Sequence, residues 1–236
     1  MQSGNKQIVR WHGFADAQAL RQAALRRVLS AAAESIQARG AFHVVLAGGN
    51  TPRALYADLR GEKADWSAWH VWFGDERCLP PDDSERNSYM AAEALLDHVP
   101  IPKSQIHVIP GELGAGRAAV AYAGALRAVS ARDFDLVLLG LGEDGHTASL
   151  FPGNEWGAIA GSPDALAVLN AAKPPPERVS LSAARLSRAR QVLFLVTGES
   201  KRDAVVAWRA GQSIPAAAIA PASGVDVLIE AALLQS

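Results

Sequence analysis

The sequence predicts an α/β fold, a three-layer α/β/α sandwich built on a mostly parallel sheet. Three observations lead there. The runs FHVVLA (42–47), WHVWF (69–73), FDLVLLG (134–140) and QVLFLVTG (191–198) are apolar along their length instead of alternating. Strands covered on both faces by helices have that pattern. Alanine-rich stretches of helical spacing lie between them, and strands that alternate with helices need right-handed crossovers, which lay the strands parallel.

The elements follow in order. QIVRWH (7–12) is a first, weaker strand. Over 16–38, Leu20, Ala24 and Val28, then Leu25, Leu29 and Ile36, form one apolar stripe, while Arg21, Gln22, Arg26 and Arg27 face away. The strand at 42–47 leads to a helix over 52–60, and the strand at 69–73 leads through a charged loop to a helix over 87–98. QIHVIP (105–110) is a weak strand, 117–130 a helix, and 134–140 the clearest strand of the chain. The Pro/Gly-rich stretch 152–176 breaks the alternation as a surface excursion or small subdomain. ALAVLN (165–170) and RVSLS (178–182) are weaker strands; the strand at 191–198, a helix over 199–210 and DVLIE (226–230) complete the order. No internal repeat is present, so 1–236 is expected to form a single domain.

Composition narrows the class of function. Hydrophobic residues make up 49% of the chain and charged residues 20%, which suits a packed core and excludes disorder. With 23 basic and 24 acidic residues the formal charge is −1, so neither nucleic acid nor an anionic membrane is expected as a partner. The single cysteine, Cys78, excludes an internal disulfide framework and a cysteine-built metal cage. No apolar run approaches the ~18 residues of a membrane span, and MQSGNKQIVRWHGF lacks a leader's apolar core. The expectation is a soluble, cytoplasmic monomer or small homo-oligomer.

In such folds ligands bind at the carboxyl ends of the strands, so the loops there carry the chemistry. In LAGGNTPRALYADL (46–59), Gly48 and Gly49 allow close backbone approach, and Thr51 can cap a helix that begins at Pro52. Such a helix end suits a phosphate, although a plain strand-to-helix turn would look the same. In FGDERCLPPDDSERNSYM (73–90), Asp75, Glu76 and Arg77 stand together at a strand end, where charges must pair or meet a ligand. A planar guanidinium at Arg77 suits a carbonyl, hydroxyl or oxyanion, while Cys78, with no histidine near it in sequence, reads as a small buried residue.

GLGEDGHTASLFPG (140–153) is the most informative loop. Its literal G-x-G-x-x-G, Gly140 to Gly145, is not a dinucleotide site: Glu143 and Asp144 would repel a pyrophosphate, and Pro152 cuts short the helix that should follow. The loop offers instead Asp144 and His146, an imidazole suited to general-base work with a carboxylate to fix its tautomer. Arg178 opens RVSLS and Lys201 follows TGES; if the sheet brings both beside the 46–59 loop, they complete a phosphate pocket. A G-x-S-x-G elbow, an H-E-x-x-H zinc motif and a Walker loop are all missing from the sequence. The other histidines, His12, His43, His70, His98 and His107, are scattered and assigned to packing or surface.

Taken together, AGGNTP (47–52), GDERCLP (74–80), GLGEDGHTASLFPG (140–153), PPPERVSLS (174–182) and VTGESK (196–201) resemble the 6-phosphogluconolactonase family, in order over nearly the whole chain. The resemblance implies a fold like glucosamine-6-phosphate deaminase and ribose-5-phosphate isomerase. It also implies hydrolysis of 6-phospho-D-glucono-1,5-lactone to 6-phosphogluconate, with neither metal nor organic cofactor. Carried over by position, His146 is the general base, Asp144 orients it, Arg77 lies near the lactone or carboxylate end and Asp75 supports Arg77. Gly48, Gly49, Asn50, Thr51, Arg178 and Lys201 form the phosphate grip, with Asn87 carried over beside them. The chain departs from the family at Ala47 and Asn50, which replace serines, at Arg86-Asn87 in place of Ser-Asn, and at Glu230 in place of an aspartate. Two alternatives are an aminosugar-phosphate deaminase or isomerase, whose loops resemble DEY and GHIAFNEP, and an inactive sugar-phosphate sensor. The DER and GHTASLFP loops and the retained Asp144 and His146 favour the lactonase.

Overall fold

A computed structural model describes residues 7–129 and 133–235. Residues 1–6, part of the segment searched for a leader, and residue 130, the expected end of a helix, lie outside the described residues. The strands are β1 (Val9–Phe14), β2 (Phe42–Leu46), β3 (Trp69–Phe73), β4 (Asp75–Arg77), β5 (Ile106–His107), β6 (Phe134–Gly140), β7 (Ala165–Val168), β8 (Arg178–Leu181), β9 (Ala189–Val196) and β10 (Val225–Glu230). The α-helices are α1 (Ala17–Arg39), α2 (Asn50–Leu59), α3 (Asn87–Ala91), α4 (Ala115–Ala128), α5 (Ala183–Ser187) and α6 (Arg202–Arg209).

Seven strands form one parallel sheet in the order β1-β10-β9-β6-β2-β3-β5, with helices on both sides. The central strands are the apolar runs of the sequence: Phe134 to Leu139 are all buried, and so are Val192 to Val196. The α1 stripe of Leu20, Ala24 and Val28 is fully buried. Asp16 caps that helix by accepting from the Ala19 amide at 2.8 Å, and Gly40 (φ 76) ends it. Among the described residues no helix is long and apolar enough to cross a membrane.

Other segments depart from expectation. The segments 165–170 and 178–182 do not join the parallel sheet; β4, β8 and β7 form a separate antiparallel sheet in that order. Gly74 joins the two sheets, its N–H donating to Leu46 O at 3.0 Å and its carbonyl accepting from the Leu181 amide at 2.8 Å. The strand expected over 105–110 is only Ile106–His107, and the helix expected over 87–98 is α3 followed by a wider π turn, Ala92–Leu96. Residues Glu199–Lys201 form a 3-10 turn ahead of α6.

Three of the scattered histidines form a stack. His43 and His70 are register partners on β2 and β3, with rings 4.5 Å apart, and His107 stacks on Trp72 at 3.8 Å. Burial first, and then the neighbouring His70 ring, push the His43 and His107 imidazoles down to about 4. In the unfolded chain they would titrate near ~6.5. Between these values the unfolded state takes up protons that the folded state refuses, so this part of the stability is lost as pH falls through that window. Tm should therefore drop on titration from pH 6.5 to 4, and His107→Gln should flatten that drop in a thermal melt series.

Candidate active site

Loops following β2, β3, β6 and β9 meet with β8 around a cleft of about 310 Å³. Its walls include Gly48, Gly49, Asp75, Arg77, Asn87, His146, Arg178 and Lys201, contributed by segments distant in sequence. Asp144, Asn50 and Thr51 do not line it.

The 140–147 segment is a tight turn. Gly142 N–H donates to His146 O at 2.8 Å and Gly145 N–H to Gly142 O at 3.0 Å. Gly145 has φ 84, and a Cβ there would stand 2.9 Å from Ile214 Cβ, so only glycine fits. No helix follows, so the G-x-G-x-x-G glycines serve this turn. His146 Nδ1 lies 2.5 Å from Asp144 Oδ1, and the His146 amide donates to the same oxygen at 3.1 Å. Burial raises the Asp144 carboxyl, but the two hydrogen bonds from His146 outweigh that and hold it below the usual carboxylate range. An ionised carboxylate can only accept, so Nδ1 carries the hydrogen and Nε2 keeps a free lone pair. The ring rests against Phe151, centroids 4.7 Å apart.

Asp75 does not support Arg77. Its buried carboxylate accepts from Ser149 Oγ at 2.5 Å and Asn87 Nδ2 at 3.0 Å and faces Arg178. Asp75 and Arg77 share a face of β4, but Ser149 and Asn87 close on the Asp75 carboxylate while the Arg77 guanidinium donates to Glu85 O. Glu76, between them, points the other way and is fully buried. Its carboxylate accepts from the amides of Arg77, Asn87 and Ser88 at 2.9, 2.7 and 2.8 Å. It thereby caps α3, which accounts for one charge of the DER cluster structurally. Asn87 also packs against Gly48, where a Cβ would lie 2.0 Å from Asn87 Oδ1.

Arg77 and Arg178 are register partners across β4 and β8. Two like charges opposite one another repel, and an anion between them relieves the repulsion. Arg178 is buried; its Nε and Nη2 donate to the carbonyls of Pro175, Lys173 and Pro174 at 3.0, 3.0 and 2.9 Å. Burial pulls its guanidinium down from the usual value, against the raising effect of Asp75. Arg77 is fixed by a hydrogen bond to Glu85 O, and its buried Nε has no acceptor among the described residues.

Thr51 is not the cap of α2. The helix begins at Asn50 with Gly49 as its capping residue, and Thr51 Oγ1 instead meets Thr197 Oγ1 at 2.6 Å. That contact joins the α2 terminus, with its unpaired first-turn amides, to the loop bearing Lys201. Glu230 holds the same loop by accepting from the Gly198 amide at 2.6 Å. The Lys201 ammonium has no hydrogen bond or ion pair among the described residues.

The sequence reading missed Lys173, whose side chain also lines the cleft. A cation directly before three prolines, hence on a stiff mount, was the available signal. Among the described residues no three His, Cys, Asp or Glu side chains are grouped to hold a metal ion. Cys78 is half-buried, and burial pushes its thiol up to about 11.

Residues 15–228 match the family model described as glucosamine-6-phosphate isomerases/6-phosphogluconolactonase. The chain is 42% identical over 219 residues to a 6-phosphogluconolactonase of Mycobacterium leprae, covering 86% of this chain and 88% of that one. A solved 6-phosphogluconolactonase of Trypanosoma brucei superposes with TM-score 0.86 at 28% identity, covering 97% of this chain and 98% of the other. A monomeric glucosamine-6-phosphate deaminase, 21% identical, superposes with TM-score 0.79 over 96% and 98% of the two chains, a likeness of fold alone.

Proposed function

The chain belongs to the glucosamine-6-phosphate isomerase/6-phosphogluconolactonase family, and on that premise we propose that it hydrolyses 6-phospho-D-glucono-1,5-lactone to 6-phosphogluconate in the oxidative pentose phosphate pathway. The observation that carries the mechanism is the His146 imidazole, tied through Nδ1 to Asp144, at a cleft walled by Arg77, Arg178 and Lys201.

Nε2 of neutral His146 takes a proton from water as the hydroxide adds to lactone C1. The Arg77 guanidinium, which lines the cleft, is the donor available to the developing oxyanion. Collapse breaks the bond from C1 to the ring oxygen, and His146 returns its proton to that oxygen; the acid formed then ionises into solvent. The backbone of Gly48 and Gly49 ahead of α2, Lys201 and the Arg178 guanidinium supply the phosphate end, and anchoring there presents C1 to the water. The reaction in this reading needs no metal or organic cofactor. A cytoplasmic location goes with it, in keeping with a sequence whose single cysteine builds no internal disulfide.

The test is a coupled assay with freshly generated lactone, read against its spontaneous opening, beside an assay for ammonia release from glucosamine 6-phosphate. Acceleration of the first with none of the second supports the proposal; the reverse makes the chain a deaminase. The phosphate grip has its own test. Lys201→Ala should raise KM for the phosphorylated lactone roughly ten- to hundredfold with kcat little changed, the cost of one charge-assisted contact. Hydrolysis of unphosphorylated gluconolactone should be unaffected in the same variant.

A further inference from the structure

We propose that Phe151 is a positioning residue for this reaction: its ring is the shared floor under the His146 imidazole and the Arg178 guanidinium, and its face supports the positive charge His146 acquires on taking the proton from water. The inference rests on the reading of His146 as the base. Phe151 is 1% exposed. Its ring centroid lies 4.7 Å from that of His146 at an interplanar angle of 36°, and 5.6 Å from Arg178 Cζ. Trp156 Nε1 donates to Phe151 O at 2.7 Å, which pins the residue from the side away from the cleft.

The imidazole has three supports. Asp144 fixes which nitrogen carries the hydrogen, Gly142, lacking a Cβ, lets the ring lie directly against its backbone, and Phe151 sets the plane in which Nε2 is presented. The charges around the imidazole show why an aromatic floor is needed. Asp144 stands on its own loop, Asp75 and Arg77 come from β4, Lys173 and Arg178 from β8 and its approach, and Lys201 from the loop after β9. Four cations recruit an anionic substrate, and each also repels the imidazolium formed in the transition state. A further carboxylate would relieve that repulsion but would also repel the phosphate. The negative face of a benzene ring attracts the imidazolium at short range without adding net charge to the cleft.

The experiment compares wild-type enzyme with Phe151→Leu and with pentafluorophenylalanine incorporated at position 151. Leucine keeps the apolar burial and removes the ring face; the fluorinated ring keeps the shape and reverses the charge of the face. The readouts are kcat against pH and the histidine ring-proton titration by NMR, the His146 signal being the one that His146→Gln abolishes. The acid limb of kcat and the His146 titration should both move to lower pH by about half a unit in the leucine variant. They should move further in the fluorinated protein, with kcat down roughly two- to fivefold and KM little changed. A His146 titration that stays in place in the fluorinated protein overturns the proposal and leaves Phe151 as packing only. That protein keeps the test available should leucine prevent folding, and the titration reads Phe151 even if the enzyme acts on a different sugar phosphate.

Discussion

Replacing His146 with glutamine is expected to cut kcat for the phosphorylated lactone by about a hundred- to ten-thousandfold, the usual weight of a positioned general base. Glutamine is close in size and polar, so the turn and the cationic walls should persist, and KM should stay within about threefold. The physical content of the loss is specific. Without Nε2, water must attack C1 unassisted, and the leaving ring oxygen must find its proton in solvent. The residual rate of a bound, oriented substrate should still exceed spontaneous opening, because Arg77 and the phosphate anchor remain. Steady-state kinetics corrected for the uncatalysed reaction, with phosphate affinity measured separately, check both halves. Turnover near that of the wild type would remove His146 from the mechanism.

Gly142→Ala should come close to the same loss although it replaces no ionisable group. The backbone at 142 lies outside the left-handed region, so alanine is conformationally allowed there. A Cβ at that position would nevertheless fall 1.9 Å from His146 Nδ1 and 2.1 Å from Cε1, inside the ring's own volume. Backbone cannot yield, since Gly142 N–H and His146 O close the turn at 2.8 Å. The imidazole must swing out, breaking its bond to Asp144 and taking Nε2 away from C1. A fall in kcat of a hundredfold or more is expected, with Tm lowered by only a few degrees, because the displaced ring is already partly solvated. Crystallography of the variant with the ring still on Asp144 would refute this account.

The His146 and Gly142 effects mark the border between what could be read in the sequence and what could not. Asp144 and His146 were legible because their partnership is local: two residues apart, after an apolar strand, on a loop with too many glycines for a helix. The parallel sheet was legible for the same reason, each strand announcing itself by composition. The antiparallel sheet was not, since β4 is three residues long and gains its partner a hundred residues later. Its role for Asp75 was misread for the same cause. The family resemblance paired Asp75 with Arg77, whereas the fold supplies Ser149 and Asn87. Glu76 looked like part of a reactive cluster until α3 placed three amides on it. Thr51 obeyed the local capping rule on paper and lost to a longer-range partner, Thr197.

The outermost strand of the large sheet, β1, pairs along its length with β10, Val9 facing Val225 and Phe14 facing Glu230. During translation β1 must therefore wait, unpaired, until β10, far along the chain, has emerged. The strands that erect the cleft, β2 through β9, are synthesised earlier and can associate while β1 is still without its neighbour. Closure of that edge is thus a late event in biogenesis, governed by contacts of very long sequence separation and correspondingly slow. Until it occurs, a nascent chain can own an assembled catalytic loop beside an unfinished sheet.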